Sequence, residues 1–153
     1  MRSKKILQLK QLDKKLLAFR SADAVGLPSK GWLNNIRTSL NMTLEQLGHK
    51  LRMSKQGVVK LEQREQQGGI TLNSLKEAGL ALDMKLVYGF VPIHISVEKM
   101  VENKARALAS KIVMRTHHNM VLEDQGNSEE QIKKAIEELT TEIKNEMRRS
   151  IWD

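Results

Sequence analysis

The residues with the most definite chemistry lie within 43–62. Ser54, Lys55 and Gln56 stand together just ahead of the apolar pair Val58 and Leu61. A glutamine amide makes paired hydrogen bonds to adenine N6 and N7, and a lysine donates to guanine O6 or N7 or to phosphate. That chemistry needs side chains projecting from the first turn of a helix whose later turns are held by a core. Ser54 is an N-cap candidate, and Val58 and Leu61 supply the hold, with Val59 beside them. The free N–H groups of such a helix start also attract phosphate. A helix before it is predicted from Thr43, an N-cap candidate with Gln46 three residues on, which is the capping-box spacing. Leu44, Leu47 and Leu51 give that helix one apolar face, and small Gly48 sits where the two helices approach. It ends near Arg52 and Met53. The candidate DNA-contacting residues are Thr43, Gln46, Lys50, Ser54, Lys55, Gln56, Val59, Lys60 and Arg64. The plainer reading of the same residues is a small helical bundle with a polar corner.

The order Thr43-Leu44-Glu45-Gln46-Leu47-Gly48, then Met53-Ser54-Lys55-Gln56-Gly57-Val58-Val59-Lys60-Leu61-Glu62, resembles the helix-turn-helix of the phage-repressor and Cro-like family. Ile70, Thr71, Leu72 and Leu75, with Ala78, Leu80 and Leu82, are similar to that family's fourth helix. The resemblance implies a five-helix-type DNA-binding domain. Two positions depart from the pattern: Arg52 stands where a turn glycine is usual, and Leu44 where a glutamine often touches DNA. A longer stretch resembles the family called mobile mystery protein A. It includes Gly31-Trp32-Leu33, Ile36-Arg37, Gly69-Ile70-Thr71-Leu72, Leu86-Val87-Tyr88 and Val91-Pro92. That resemblance implies a regulator associated with mobile elements, commonly encoded beside a Fic-domain partner, and so an antitoxin-like repressor. A Fic-inhibitory pattern of Ser or Thr, three residues, Glu, then Gly or Asn is approached only by Glu98 with Glu102-Asn103, where the hydroxyl residue is missing.

Charge points the same way. The chain has 153 residues and a formal net charge of +8. Residues 1–60 hold 13 Lys or Arg against 3 Asp or Glu, whereas 61–153 hold 13 against 15. The whole excess lies toward the N-terminus, as a polyanion-facing end requires. There is no cysteine, which excludes disulfides and thiolate metal sites. No apolar run approaches the ~20 residues of a membrane span. The basic N-terminus is not followed by an apolar signal segment, so a cytoplasmic location is expected.

The elements that position these residues follow from periodicity. Ile6, Leu9, Leu12, Leu16, Leu17 and Phe19 recur at helical spacing, with Lys4, Lys5, Lys10, Lys14 and Lys15 around them. This N-terminal basic helix, residues 1–25, offers a solvated face or a second phosphate-contacting surface. Gly26 and Pro28 mark a linker. Residues 31–92 form the helix-turn-helix domain, opening with a helix on Trp32, Leu33, Ile36 and Leu40 that Asn41 terminates. Thr71 starts its fourth helix. Residues 85–91 read as one short β-strand, which needs a partner that a second copy could supply across a two-fold axis. Residues 96–153 form a C-terminal helical hairpin. Its first helix runs to about His118, the break falls at Gly126, Asn127 and Ser128, and Ser128 with Gln131 repeats the capping-box spacing. Its second runs to about Arg149 with a stripe of Ile132, Ile136, Leu139, Ile143 and Met147.

Other constellations carry less. His117 and His118 are adjacent and diverge on a helix, with only Glu123 and Asp124 near in sequence, so no metal site is expected. Gly68-Gly69 is a turn, and no serine has His and Asp at catalytic spacing. Glu129-Glu130, Lys133-Lys134 and Glu137-Glu138 make an ion-paired helix face. Trp32 is expected in the core and Trp152 at an interface. The expectation is therefore a mainly α, non-enzymatic, cofactor-free regulator that binds double-stranded DNA as a homodimer and represses its own operon. It would belong to a Fic-type toxin–antitoxin pair. The alternative is an antitoxin acting chiefly as a protein-interaction module, with the C-terminal stripe gripping its partner.

Overall fold

The computed structural model describes residues 4–122 and 128–153 of the chain. In chain order its helices are α1 (Lys4–Leu16), α2 (Arg20–Asp23), α3 (Trp32–Ser39), α4 (Leu44–Leu51), α5 (Lys55–Gln67), α6 (Leu72–Ala81), α7 (Val97–Leu122) and α8 (Glu129–Glu146). Short 3-10 turns lie at Leu17–Phe19 and Arg149–Trp152. The chain forms two compact bodies, one of Asp23–Gly89 and one of Met1–Ala22 with Phe90–Asp153. Among the described residues no helix is long and apolar enough to cross a membrane.

Local chemistry sets the helix starts. Thr43, Ser54, Thr71 and Ser128 each accept a backbone N–H three residues on, and Thr43 with Gln46 and Ser128 with Gln131 complete capping boxes. These are the starts that the spacing predicts. Helix α3 ends at Leu40, and Asn41 beyond it takes a positive φ of 54°.

The first body is built around buried Leu33, Leu47, Val58, Leu61, Ala78 and Leu82, with Ile36, Met42, Leu44, Leu51, Ile70, Leu75 and Ala81 packed against them. It carries α3 to α6, four helices rather than the five expected of a repressor-type domain. The N-terminal helix that would supply a fifth belongs to the other body, and residues 24–31, with Gly26 and Pro28, are not helical. The expected strand at 85–91 is also absent: no strand forms among the described residues. An extended segment becomes a strand only through ladder hydrogen bonds, and residues 85–91 make no backbone–backbone bond among the described residues. Three apolar residues lie outside the core that their spacing suggests. Trp32 is 38% exposed, and Leu72 and Leu80 are 50% and 69% exposed. Trp32 instead lines an apolar groove with Leu33, Ile36, Leu75, Met84, Leu86 and Val87.

The second body joins α1, α7 and α8 around Val101, Ala105, Ala109, Ile143 and Ile151. Ala105 and Ala109, one helical turn apart and wholly buried, leave room for α8 to lie close against α7. Ile136, Leu139 and Met147 pack onto the same cluster, so most of the stripe expected to face a partner is covered within the chain. The basic helix is thus part of the hairpin's body rather than a separate stretch. Asp13 of α1 accepts the backbone N–H groups of Val97 and Glu98 at 2.7 and 3.0 Å, capping α7 from another helix. Helix α8 stops at Met147 in a left-handed conformation, short of the expected Arg149, and the following turn buries Ile151. Trp152 stays half exposed with the Lys104 ammonium 5.5 Å from its ring. Arg106 pairs with Glu137 and Glu102, and Lys144 with Glu98 and Glu102. The hydrogen bond from Arg106 holds the Glu137 carboxyl below the usual glutamate range. Because that folded-state pKa is depressed, its small stabilisation is present at neutral pH and fades as pH falls through it. Gly126 and Asn127 of the expected break, and Glu123 and Asp124 near the histidine pair, lie outside the described residues.

One polar cluster fixes α5 against α3. Glu62, 7% exposed, accepts from Arg37 Nε at 2.5 Å, from Arg37 Nη2 at 3.3 Å and from Asn34 Nδ2 at 3.0 Å. Arg37, 8% exposed, also donates to the Met42 carbonyl at 2.9 Å. One turn on, the Glu65 carboxylate accepts from the backbone N–H groups of Trp32 and Leu33 at 2.7 and 2.8 Å. It caps α3, whose own N-cap residue Gly31 has no side chain. Gly31 has φ +86°, which L side chains rarely adopt, and a Cβ there would lie 2.9 Å from the Glu65 Cδ atom and displace the capping carboxylate. Removing one partner of a buried ion pair strands the other, at a cost of about 3–5 kcal/mol. Glu62→Ala is therefore expected to lower the unfolding free energy of the first body by about that much in urea denaturation. Glu137→Gln, at a solvent-accessible pair of the second body, should leave the denaturation midpoint almost unchanged.

Candidate nucleic-acid interface

Helices α4 and α5 meet through a three-residue turn, Arg52, Met53 and Ser54. The turn reverses direction because Arg52 takes φ 55° and ψ 45°, a left-handed conformation, at the position where the resemblance noted above has glycine. Its backbone N–H returns to the Gly48 and His49 carbonyls, and Met53 N–H donates to the Gly48 carbonyl at 2.9 Å. At Gly48 the chain passes close to its own turn. A Cβ there would lie 2.6 Å from the Met53 carbonyl oxygen and 3.5 Å from Val58 Cγ2. The expected small residue at the helix–helix approach is therefore required by backbone rather than by a movable side chain.

This turn presents the first half of α5 to solvent. Val58, Leu61 and Glu62 are buried and Glu65 half-buried on one side. Gln56, Lys60, Gln63 and Gln67, in steps of four, three and four, form one exposed line on the opposite side. Lys55 and Arg64 are exposed beside it, and Val59 is half-buried. Ser54 Oγ accepts the Gly57 N–H at 3.0 Å. It thereby holds the first turn and keeps its hydroxyl hydrogen as a donor.

The expected contact residues separate into groups. Thr43 and Lys55 line one hollow with Leu44, Glu45 and Arg37, so the starts of α4 and α5 share a surface. Gln46, Lys50 and His49 line a separate hollow with Leu40, Asn41 and Met42. The Thr43 hydroxyl accepts the Gln46 N–H at 3.1 Å, and the Gln46 carbonyl oxygen accepts the Thr43 N–H at 2.9 Å. Those two oxygens serve the helix start, and what remains for a ligand is the Gln46 NH2 group and the Thr43 hydroxyl hydrogen. Glu45, exposed in the same hollow as Lys55, would repel a phosphate placed there.

The structure adds Gln63, Gln67 and His49 to the exposed face. Gln63 and Gln67 were legible, since the step of three or four that aligns Gln56 with Lys60 continues to them. His49 follows from its place opposite Leu47 and Gly48 on α4. No family model, curated protein or solved structure matches the chain.

A methyl group at position 48 has no space unless the turn opens. Gly48→Ala is expected to destabilise the first body by about 1–3 kcal/mol, as overpacking does. Chemical denaturation measures the loss. Arg52→Gly, which frees a left-handed position, should not destabilise it at all.

Proposed function

We propose that the chain is a sequence-specific double-stranded DNA-binding regulator that reads base edges with the first turns of α5. The observation that carries this reading is the exposed line of Gln56, Lys60 and Gln63, backed directly by the buried Val58, Leu61 and Glu62. A helix held so firmly on one side and so polar on the other suits a major groove, which admits a single helix. Gln56 is suited to adenine, Lys55 and Lys60 to guanine or phosphate, and the hydroxyls of Thr43 and Ser54 to the backbone. Lys50 and Arg64 would add phosphate contacts at the flanks.

The reading extends to a homodimer, because one such helix contacts too few base pairs for discrimination in a genome. The segment 85–91 suits the role of dimer contact. Its backbone is unpaired among the described residues, and Val87, Tyr88 and Phe90 are 68%, 58% and 81% exposed. A second copy running antiparallel supplies the missing ladder. By the resemblance to mobile mystery protein A, the regulated operon would be its own, encoding a Fic-domain partner. The short Fic-inhibitory pattern gives no support to direct active-site inhibition, since Glu98 stands where the pattern needs Ser or Thr.

The test is a mobility shift with DNA from upstream of the chain's own reading frame. Gln56→Ala is expected to weaken specific binding by about 1–3 kcal/mol and to leave binding to scrambled DNA nearly unchanged. A folded Gln56→Ala protein with full affinity and full sequence preference would rule out base reading by that residue.

A further inference from the structure

We propose that the outward face of α1 is a second phosphate-binding surface, which holds the backbone of duplex DNA without reading its sequence. The proposal takes duplex DNA as ligand from the reading of α4 and α5, and it names a different part of the chain as a contact.

Helix α1 carries a single acidic residue, Asp13. Both of its carboxylate oxygens accept backbone N–H groups at the start of α7, so its charge is turned inward. What α1 presents outward is therefore of one sign. Lys4, Gln8, Gln11 and Lys15 are exposed in steps of four, three and four, which places them on one line. Lys14 is exposed beside that line. The line spans about 16 Å at 1.5 Å per residue, and every side chain on it is a hydrogen-bond donor to phosphate.

Some cations of the same body are paired and others, Lys111, Lys133 and Lys134 among them, enter no ion pair among the described residues, so what sets α1 apart is that its outward side carries no acid. Lys99, Arg106, Lys144 and Arg148, on and just after α7 and α8, are all paired with glutamates. Lys4, Lys14 and Lys15 enter no ion pair among the described residues. A merely soluble helix face mixes both signs, as α8 does with Glu129, Glu130, Lys133, Lys134, Glu137 and Glu138. The face of α1 has cations and amides and no acid. A bilayer surface is the other polyanion such a face could meet. Insertion there wants an apolar stripe. The exposed leucines of α1, Leu7 and Leu12, stand five residues apart and so fall on different sides of the lysine line. Duplex DNA, which needs charge and donors alone, is the better match.

The experiment uses the full chain and the triple variant Lys4→Gln, Lys14→Gln, Lys15→Gln, with helicity checked by circular dichroism. Binding to a scrambled duplex is followed by fluorescence anisotropy between about 50 and 200 mM salt. Each lost phosphate contact lowers the log–log salt slope by about 0.9, so three contacts lower it by about 2.7. The ratio of affinities for the chain's own upstream DNA and the scrambled duplex should stay the same. An unchanged slope in the folded variant, or no binding of the scrambled duplex by the full chain, overturns the proposal. So does a loss confined to phosphatidylserine-containing vesicles with duplex binding intact. Gln56→Ala run alongside separates the two readings, because it should change the ratio and not the slope. A fallen slope in the triple variant together with a ratio of one in the parent chain would retain α1 as a DNA contact and reject base reading by α5.

Discussion

The buried pair between Arg37 and Glu62 is the interaction on which the candidate interface depends. It joins the last turn of α3 to the middle of α5, and Arg37 reaches on to the carbonyl of Met42 in the connection to α4. Three helices are thus referenced to one guanidinium. An apolar pair of similar volume would serve stability as well, since desolvating two charges offsets much of their attraction. The ion pair adds direction. A planar guanidinium contacting both carboxylate oxygens admits few geometries, and Asn34 occupies a remaining lone pair. Rotation of α5 about its own axis would break those bonds. The rotation angle decides whether Gln56 and Lys60 point outward, so the pair on the inner face governs what the outer face presents. Glu65 repeats the device one turn later by capping α3.

Signals that act over a few residues were legible in the sequence. Thr43, Ser54, Thr71 and Ser128 start helices because a hydroxyl reaches a backbone N–H three residues away, and spacing alone reveals that. Gly48 was legible as a close approach, and Arg52 as a turn residue in place of glycine. Interactions between distant residues were not legible. Nothing in the neighbourhood of Gly31 says that a carboxylate from position 65 will cap the helix it begins. The role of Glu62 was hidden for the same reason, although its position in the motif was plain. Asp13 looked like one acid among lysines, and only the fold brings it to the start of α7. The β-rich composition of 85–91 expresses only a preference for extended backbone, and a strand also needs a neighbour. Trp32, at helical spacing from Ile36, falls on the rim of the core because α3 is short and Glu65 pins its first turn.

In the proposed reading, charge ties the two bodies to one ligand class. Most of the N-terminal excess seen in the sequence lies on α1 and on α4, the turn after it and the start of α5. Residues 61–153 are nearly balanced in charge, and α7 and α8 pair some of theirs with one another through Glu98, Glu102 and Glu137. Base reading by glutamine and lysine would give preference, and exposed lysines would give affinity that salt removes. A chain organised this way would find DNA through its charge and select a site through α5.

The most direct measurement is selection of bound sequences from a randomised duplex library by the intact chain. The account predicts enrichment of one motif made of two half-sites related by a two-fold axis, their centres about 10 base pairs apart or a multiple of that. It also predicts adenine or guanine at the positions of strongest preference, since those are the bases that glutamine and lysine address. A library that emerges without any enriched motif, although the chain binds it, would contradict the claim that α5 reads bases.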